Sequence, residues 1–223
     1  MELIKPNGVT LNGDIIDAGT FSRHDRFALP KCHWTDSQFY DASKIEYDAT
    51  NKFLDQIDRI LPKARKRYEY GNHEVWIEEF IKESPKTRQD LFGLDSRLNL
   101  SRRGYELYPY NSFMRLGKLR VTHGIYSCSN HAKKHLDAMG CSILYGHLHN
   151  LEVASKITPD RTSHMAWANG CLCDLNPAYL KNRPQNWNHS FALVYVWPSK
   201  EFQVDIIRIQ NGKCIVQGKE ISG

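Results

Sequence analysis

Four short groups of glycine, acid, amide and imidazole recur along the 223-residue chain: Gly13-Asp14-Ile15-Ile16-Asp17, Gly71-Asn72-His73-Glu74, Thr122-His123-Gly124 and Gly146-His147-Leu148-His149. Asp, Asn and His offer the oxygen and imidazole donors that hold hard-to-borderline divalent cations. A glycine beside each group lets the chain turn sharply while a side chain approaches an ion. Taken one at a time, an Asp after a strand is a helix cap or turn former, an Asn-His pair a hydrogen-bonded turn, and a single His a structural residue. It is the joint arrangement that points to a metal site.

The elements that must position these groups follow from hydrophobic periodicity. Residues 8–12 (GVTLN) read as a strand running into a glycine turn, and 44–61 as a helix with Ile45, Phe53, Leu54, Ile57, Ile60 and Leu61 on one face. A strand over 67–70 leads to a helix over 74–83 with Trp76, Phe80 and Ile81 on one side, and LRVT at 119–122, a helix over 130–139 and SILY at 142–145 repeat the pattern. Strands alternating with helices predict an α/β fold, and in an open α/β sheet the carboxyl ends of the strands share one rim where distant polar groups converge. The runs at 151–156, 163–168, 191–197 and 202–209 lack intervening helices, so the chain should close with antiparallel strands. No repeat or linker divides the sequence, which predicts a single domain over 1–223.

In this order the four groups resemble the calcineurin-like metallophosphoesterase superfamily, whose hallmark is D-x-H, then G-D-x-x-D, G-N-H-[DE], H and G-H-x-H. The resemblance runs from about residue 8 to residue 149. One such block arises by chance, but four in order with a strand before each are specific. The resemblance implies a four-layer α/β sandwich, two β-sheets flanked by helices. It also implies hydrolysis of a phosphomonoester or phosphodiester by a metal-activated hydroxide, with two divalent ions of manganese, zinc or iron. Position by position, it makes Asp14 the bridge between the ions, Asn72, His123 and His147 ligands of one, and His149 a ligand of the other. His73 would be the catalytic group at the leaving oxygen, with Asn72 and His73 contacting substrate. Asp17 would orient His73, because a carboxylate beside an imidazole fixes its tautomer and raises its basicity. The ions would hold the phosphate oxygens in line for displacement.

The family's first block, D-x-H, is missing together with its strand-helix unit, since 13 residues precede Asp14. Truncation is the expected cause, the alternatives being replacement by local residues or a protein that holds one metal. His24, Asp25 and His33 are the replacement candidates, each more simply read as a solvated loop residue. One firmly held ion is therefore expected, with Asp14, Asn72, His123 and His147 around it.

Composition bounds the rest. With 41% hydrophobic and 25% charged residues the chain is globular, which excludes disordered, collagen-like and coiled-coil classes. A net charge of +5 permits an anionic partner without demanding one. Lys63, Arg65, Lys66 and Arg67 with Arg102 and Arg103 could track a nucleic-acid backbone, although such runs read more simply as solvated surface. Asn130, His131, Lys134 and Tyr126 flank His123; Asn130 or Ser129 is expected to cap a helix whose polar face carries His131 and His135. Six dispersed cysteines read as reduced thiols. The Cys171-x-Cys173 pair, lacking a second pair at finger spacing, reads as two buried strand residues rather than a zinc site. Trp167, Trp187 and His189 read as core or rim packing. There is neither a secretion signal nor a membrane-spanning stretch in the sequence, so a cytoplasmic protein is expected.

Overall fold

A computed structural model describes residues 4–22, 33–181 and 183–222. It is mixed α/β and divides into two compact units, Met1–Ser112 and Phe113–Gly223. Among the described residues, no helix is long and apolar enough to cross a membrane.

The first unit is built on a parallel sheet of β1 (Gly8–Asn12), β2 (Arg65–Glu69) and β3 (Tyr105–Tyr108), in that order, with Gly8 opposite Arg65 and Lys66 opposite Tyr105. Parallel neighbours require crossovers, and helices supply them. Helix α1 (Asp36–Ile60) joins β1 to β2, while α2 (Asn72–Lys82), α3 (Pro85–Phe92) and α4 (Leu94–Leu98) join β2 to β3. The start of α1 is set by a capping box, with Gln38 N–H donating to Thr35 Oγ1 (3.4 Å) and Thr35 N–H to Gln38 Oε1 (2.8 Å). Its buried positions are Phe39, Ser43, Tyr47, Thr50, Leu54 and Ile57, spaced by three or four residues as a helix face demands.

That stripe corrects the expected one: Ile45 is 75% exposed. A helix begun at residue 44 misses the Thr35 cap, and Phe39 and Tyr47, not Ile45, define its inner face. Phe39 packs on Phe80 (ring centroids 4.6 Å apart) and Phe21 on both Phe80 (5.1 Å) and Phe92 (5.5 Å), tilted and edge-to-face contacts each adding about 0.5–1.5 kcal/mol beyond area burial. Ile77, Phe80 and Ile81 form the inner face of α2, and Trp76 is only partly buried.

The second unit holds a five-stranded sheet in the order β4 (Met114–Leu116), β5 (Leu119–Thr122), β6 (Ile143–Tyr145), β8 (Ser163–Asn169), β7 (Leu151–Ile157). Pairing is parallel at β5/β6 and β6/β8 and antiparallel at both ends. Helix α5 (His131–Met139) is the crossover from β5 to β6, and Ala132 and Leu136 pack on Ile143, Tyr145, Ala166 and Ala168. Two antiparallel hairpins follow, β9 (Ser190–Val196) with β10 (Phe202–Arg208) and β11 (Lys213–Val216) with β12 (Lys219–Ser222). The expected antiparallel close is present, except that β8 also lies parallel to β6.

Candidate metal centre

In the first unit β1 ends at Asn12 and its parallel neighbour β2 at Glu69, so Asp14 and Asn72 leave adjacent carboxyl ends of one sheet. Gly13 (φ 82°) and Asp14 (φ 54°) turn the chain through left-handed backbone, which Asp tolerates better than most residues. The turn is anchored by Glu74, fully buried on the first turn of α2. Its carboxylate accepts the N–H groups of Asp14 (2.9 Å), Ile15 (3.0 Å) and Gly71 (2.8 Å) and the Tyr68 hydroxyl (2.8 Å). Burial, then the nearby Asp14 charge, push the Glu74 carboxyl above its ordinary value, while hydrogen bonds from Tyr68, Gly71 and Ile15 pull against them.

Asp14 Oδ1 accepts the His73 N–H at 3.0 Å. A side chain on Gly71 would stand 2.2 Å from that same oxygen and 2.6 Å from the Asp14 nitrogen, so glycine is needed for the two loops to approach. The His73 ring lies nearly flat on Trp76, centroids 4.2 Å and planes 21° apart. Its Nδ1 is 3.7 Å from Asp17 Oδ1 and its Nε2 3.9 Å from Asp14 Oδ2. Both separations exceed hydrogen-bond length, so Asp17, with a side chain 80% exposed, makes no direct hydrogen bond to the His73 ring.

In the second unit β5 ends at Thr122 and its parallel neighbour β6 at Tyr145, and His123 and His147 leave those carboxyl ends. Their rings meet edge to face with centroids 5.1 Å apart, and the Gly146 N–H donates to the His123 carbonyl at 2.8 Å. A side chain on Gly124 (φ 129°) would stand 2.9 Å from His147 Cβ. His147 Nε2 is 3.2 Å from Ser127 Oγ. Both His147 (φ 69°) and His149 (φ 64°) hold left-handed backbone.

The segment after His123 is anchored from α5. His135 Nε2 accepts the N–H groups of Ile125 (3.0 Å) and Tyr126 (3.3 Å), while its Nδ1 lies 2.8 Å from the His131 carbonyl. That pattern requires a neutral ring carrying its proton on Nδ1. Burial lowers the His135 pKa accordingly. His131 Nδ1 is 2.5 Å from the Tyr145 hydroxyl and its Nε2 2.9 Å from Glu152 Oε2. The expected solvated face of His131 and His135 is thus overturned: both are buried, because the segment beside them has N–H groups that need acceptors. Asn130 does take the N-cap position of α5, at φ 55° and without a side-chain capping bond.

His149 stands apart from the other imidazoles' contacts. Its Nδ1 is 3.9 Å from Cys173 Sγ and its ring meets the Trp187 ring edge to face at 4.2 Å. With Cys171 it forms a group whose candidate ligand atoms all lie within 4.8 Å of one another. The two thiols share a hydrogen bond, which lowers the Cys171 pKa and, together with burial, pushes that of Cys173 up to about 12. The reading of Cys171 and Cys173 as buried strand residues fails, since Cys173 is exposed, Cys171 is half-buried and neither lies in a named strand.

Of the replacement ligands, His24 and Asp25 lie outside the described residues, and His33 is exposed. The basic run is solvated surface in part: Lys63, Arg65 and Arg102 are exposed. Lys66 and Arg67 are buried, Arg65 pairs with Glu106, Lys66 with Asp58, and Arg103 with Asp55 and Asp58. Glu74 and His135, the two anchors, escaped the sequence reading of roles; only the position of Glu74 three residues after Gly71, where a helix's third residue reaches back to its cap, carried a signal. No known protein family matches the chain, and neither does any curated protein.

Proposed function

We propose that the chain is a metal-dependent phosphoesterase, acting on a phosphomonoester or phosphodiester, with the four-layer sandwich of the metallophosphoesterases. The observation that carries this reading is the backbone: Asp14, His147 and His149, three of the five residues the resemblance makes ligands, hold left-handed conformations just beyond strand ends. Such conformations cost about 1–3 kcal/mol each and concentrate at functional sites. The donors suit the group as well, since carboxylate and amide oxygens from Asp14 and Asn72 with imidazoles from His123 and His147 match manganese, iron or zinc better than magnesium.

In this reading Asp14, Asn72, His123 and His147 would hold one ion, and the resemblance gives Asp14 and His149 to a second. Bound ions would polarise the phosphate and supply a nucleophile at neutral pH. The chain's own residues do the positioning. Glu74 fixes the backbone that presents Asp14, and Gly71 admits the close approach of the Asn72 loop. Trp76 holds the His73 ring flat, Asp17 faces its Nδ1 at 3.7 Å, and Nε2 would be the atom that passes a proton to the leaving oxygen.

Supplied with manganese, the chain is expected to hydrolyse a generic aryl phosphate ester, and Asp14→Ala or His147→Ala to abolish turnover. Full activity in Asp14→Ala would overturn the reading. Absence of any bound metal in excess manganese would instead favour an inactive binding module that keeps the fold.

A further inference from the structure

We infer that His149, Cys171 and Cys173 form a thiolate-imidazole site for a borderline-soft divalent ion, with zinc as the occupant the donor chemistry favours. Two cysteines and one histidine are the ligand types that zinc selects over harder ions. This inference goes beyond phosphoester hydrolysis and competes with that reading for His149 alone, which would serve the thiolate site in place of a second hydrolytic ion; occupancy can be read without turnover.

The geometry is close to that of a bound site. Zinc–sulfur and zinc–nitrogen bonds of about 2.3 and 2.0 Å place tetrahedral sulfur and nitrogen ligands about 3.5 Å apart. Here Cys173 Sγ and His149 Nδ1 are 3.9 Å apart, and all three ligand atoms lie within 4.8 Å. The Cys173–His149 pair needs a contraction of about 0.4 Å and the other pairs at most about 1 Å, and two thiol protons leave as the ion enters.

The three ligands come from two loops, and one short segment ties both loops in place. Asn188 N–H donates to the His149 carbonyl (2.8 Å), Cys171 N–H to the Asn188 carbonyl (3.0 Å) and Ser190 N–H to the Cys171 carbonyl (3.0 Å). His189 Nε2 lies 2.6 Å from the Cys173 carbonyl, and Trp187 covers one side of the His149 ring. Gly170 (φ 66°) makes this possible, since a side chain there would stand 2.2 Å from Ser190 Oγ and 2.5 Å from the Asn188 carbonyl. The His149 backbone is itself left-handed (φ 64°), a conformation with a cost of about 1–3 kcal/mol that the Asn188 bond to its carbonyl helps to hold. Three protein ligands leave the fourth tetrahedral position open, as in zinc sites that bind water or a substrate atom.

The test uses the full chain, reduced and stripped of metal, titrated with cobalt(II) and then with zinc. A thiolate-to-cobalt charge-transfer band is expected, displaced by one equivalent of zinc. Cys171→Ser and Cys173→Ser should each weaken zinc binding more than about 100-fold, because damage even to groups behind a ligand costs 10–100-fold, and the double variant should lose the band. His149→Ala should shift the band's ligand-field partner and weaken binding comparably. Cys128→Ser, Asp14→Ala and His147→Ala should leave the band in place, which separates this site from the proposed hydrolytic one. Absence of the band in reduced protein, or its survival in the double cysteine variant with unchanged circular dichroism, would overturn the inference.

Discussion

In the first unit Glu74 gathers three backbone N–H groups and a hydroxyl beneath the Asp14 turn; in the second, His135 gathers two N–H groups beneath the segment that follows His123. Each is a buried titratable side chain on a helix, used as an acceptor for loop backbone that no strand can satisfy. The anion accepts more bonds, but taking its charge out of water is costly, and its raised pKa records that cost. The neutral ring avoids that cost and is limited to one accepting nitrogen, which a proton would abolish. A loop can therefore be held rigid by either kind of acceptor, with different vulnerabilities.

The largest effect is expected from removing the anionic anchor. Glu74→Ala orphans four donors, and since each unsatisfied buried donor costs about 1–3 kcal/mol without simple additivity, a loss of about 3 kcal/mol or more is expected in urea unfolding. Unchanged stability would show that the Asp14 turn does not depend on Glu74.

Removing the imidazole anchor should matter less. His135→Phe keeps the ring volume and orphans two partly buried N–H groups, for an expected loss of about 2 kcal/mol. Acid should imitate this change. The folded His135 pKa lies below the ordinary 6.5, so its contribution is fully present above that value and fades as pH falls through it. Protection of the Ile125 and Tyr126 amides, measured relative to their intrinsic exchange rate at each pH, should fall on acidification, while the same amides in His135→Phe should be weakly protected at both pH values. Protection independent of pH would break the contrast with Glu74. The groups that face His135, namely His131, Tyr126 and Tyr145, should be followed in the same spectra.

A surface carboxylate gives the smallest effect and completes the series. Asp137 accepts hydrogen bonds from Lys133 and Lys156, which hold its pKa at about 2 and tie α5 to β7. A depressed carboxyl pKa stabilises the fold above the ordinary value of 3.8 and loses that contribution as pH falls toward about 2. Because these groups are exposed and screened, Asp137→Asn should lower the thermal midpoint only slightly at neutral pH and not at all in strong acid.

The strand ends that launch Asp14, Asn72, His123 and His147 were legible in the sequence, because glycine beside a polar group after a β-branched run is a local signal. The face of α1 was misread by its start, for Thr35 and Gln38 announce a cap ten and seven residues before Ile45. The anchors were not legible. His135 reads as an exposed helical histidine until the segment at Ile125 and Tyr126 is seen to need an acceptor, and that need arises only once the chain has folded back. The Cys171–Cys173 group stayed hidden for the same reason, since its loop is shaped by pairing with residues 187–190, a contact no local pattern encodes.

The left-handed backbone at Asp14, His147 and His149 also constrains how this protein can change over generations. At such positions Gly, Asn and Asp are cheap neighbours, whereas Val, Ile and Thr meet a steric penalty whatever their chemistry. A lineage in which these side chains lost the proposed metal would therefore not drift at random there. It would leave a fossil, with glycine and asparagine accumulating where acid and imidazole once stood, while the surrounding loops kept their shape.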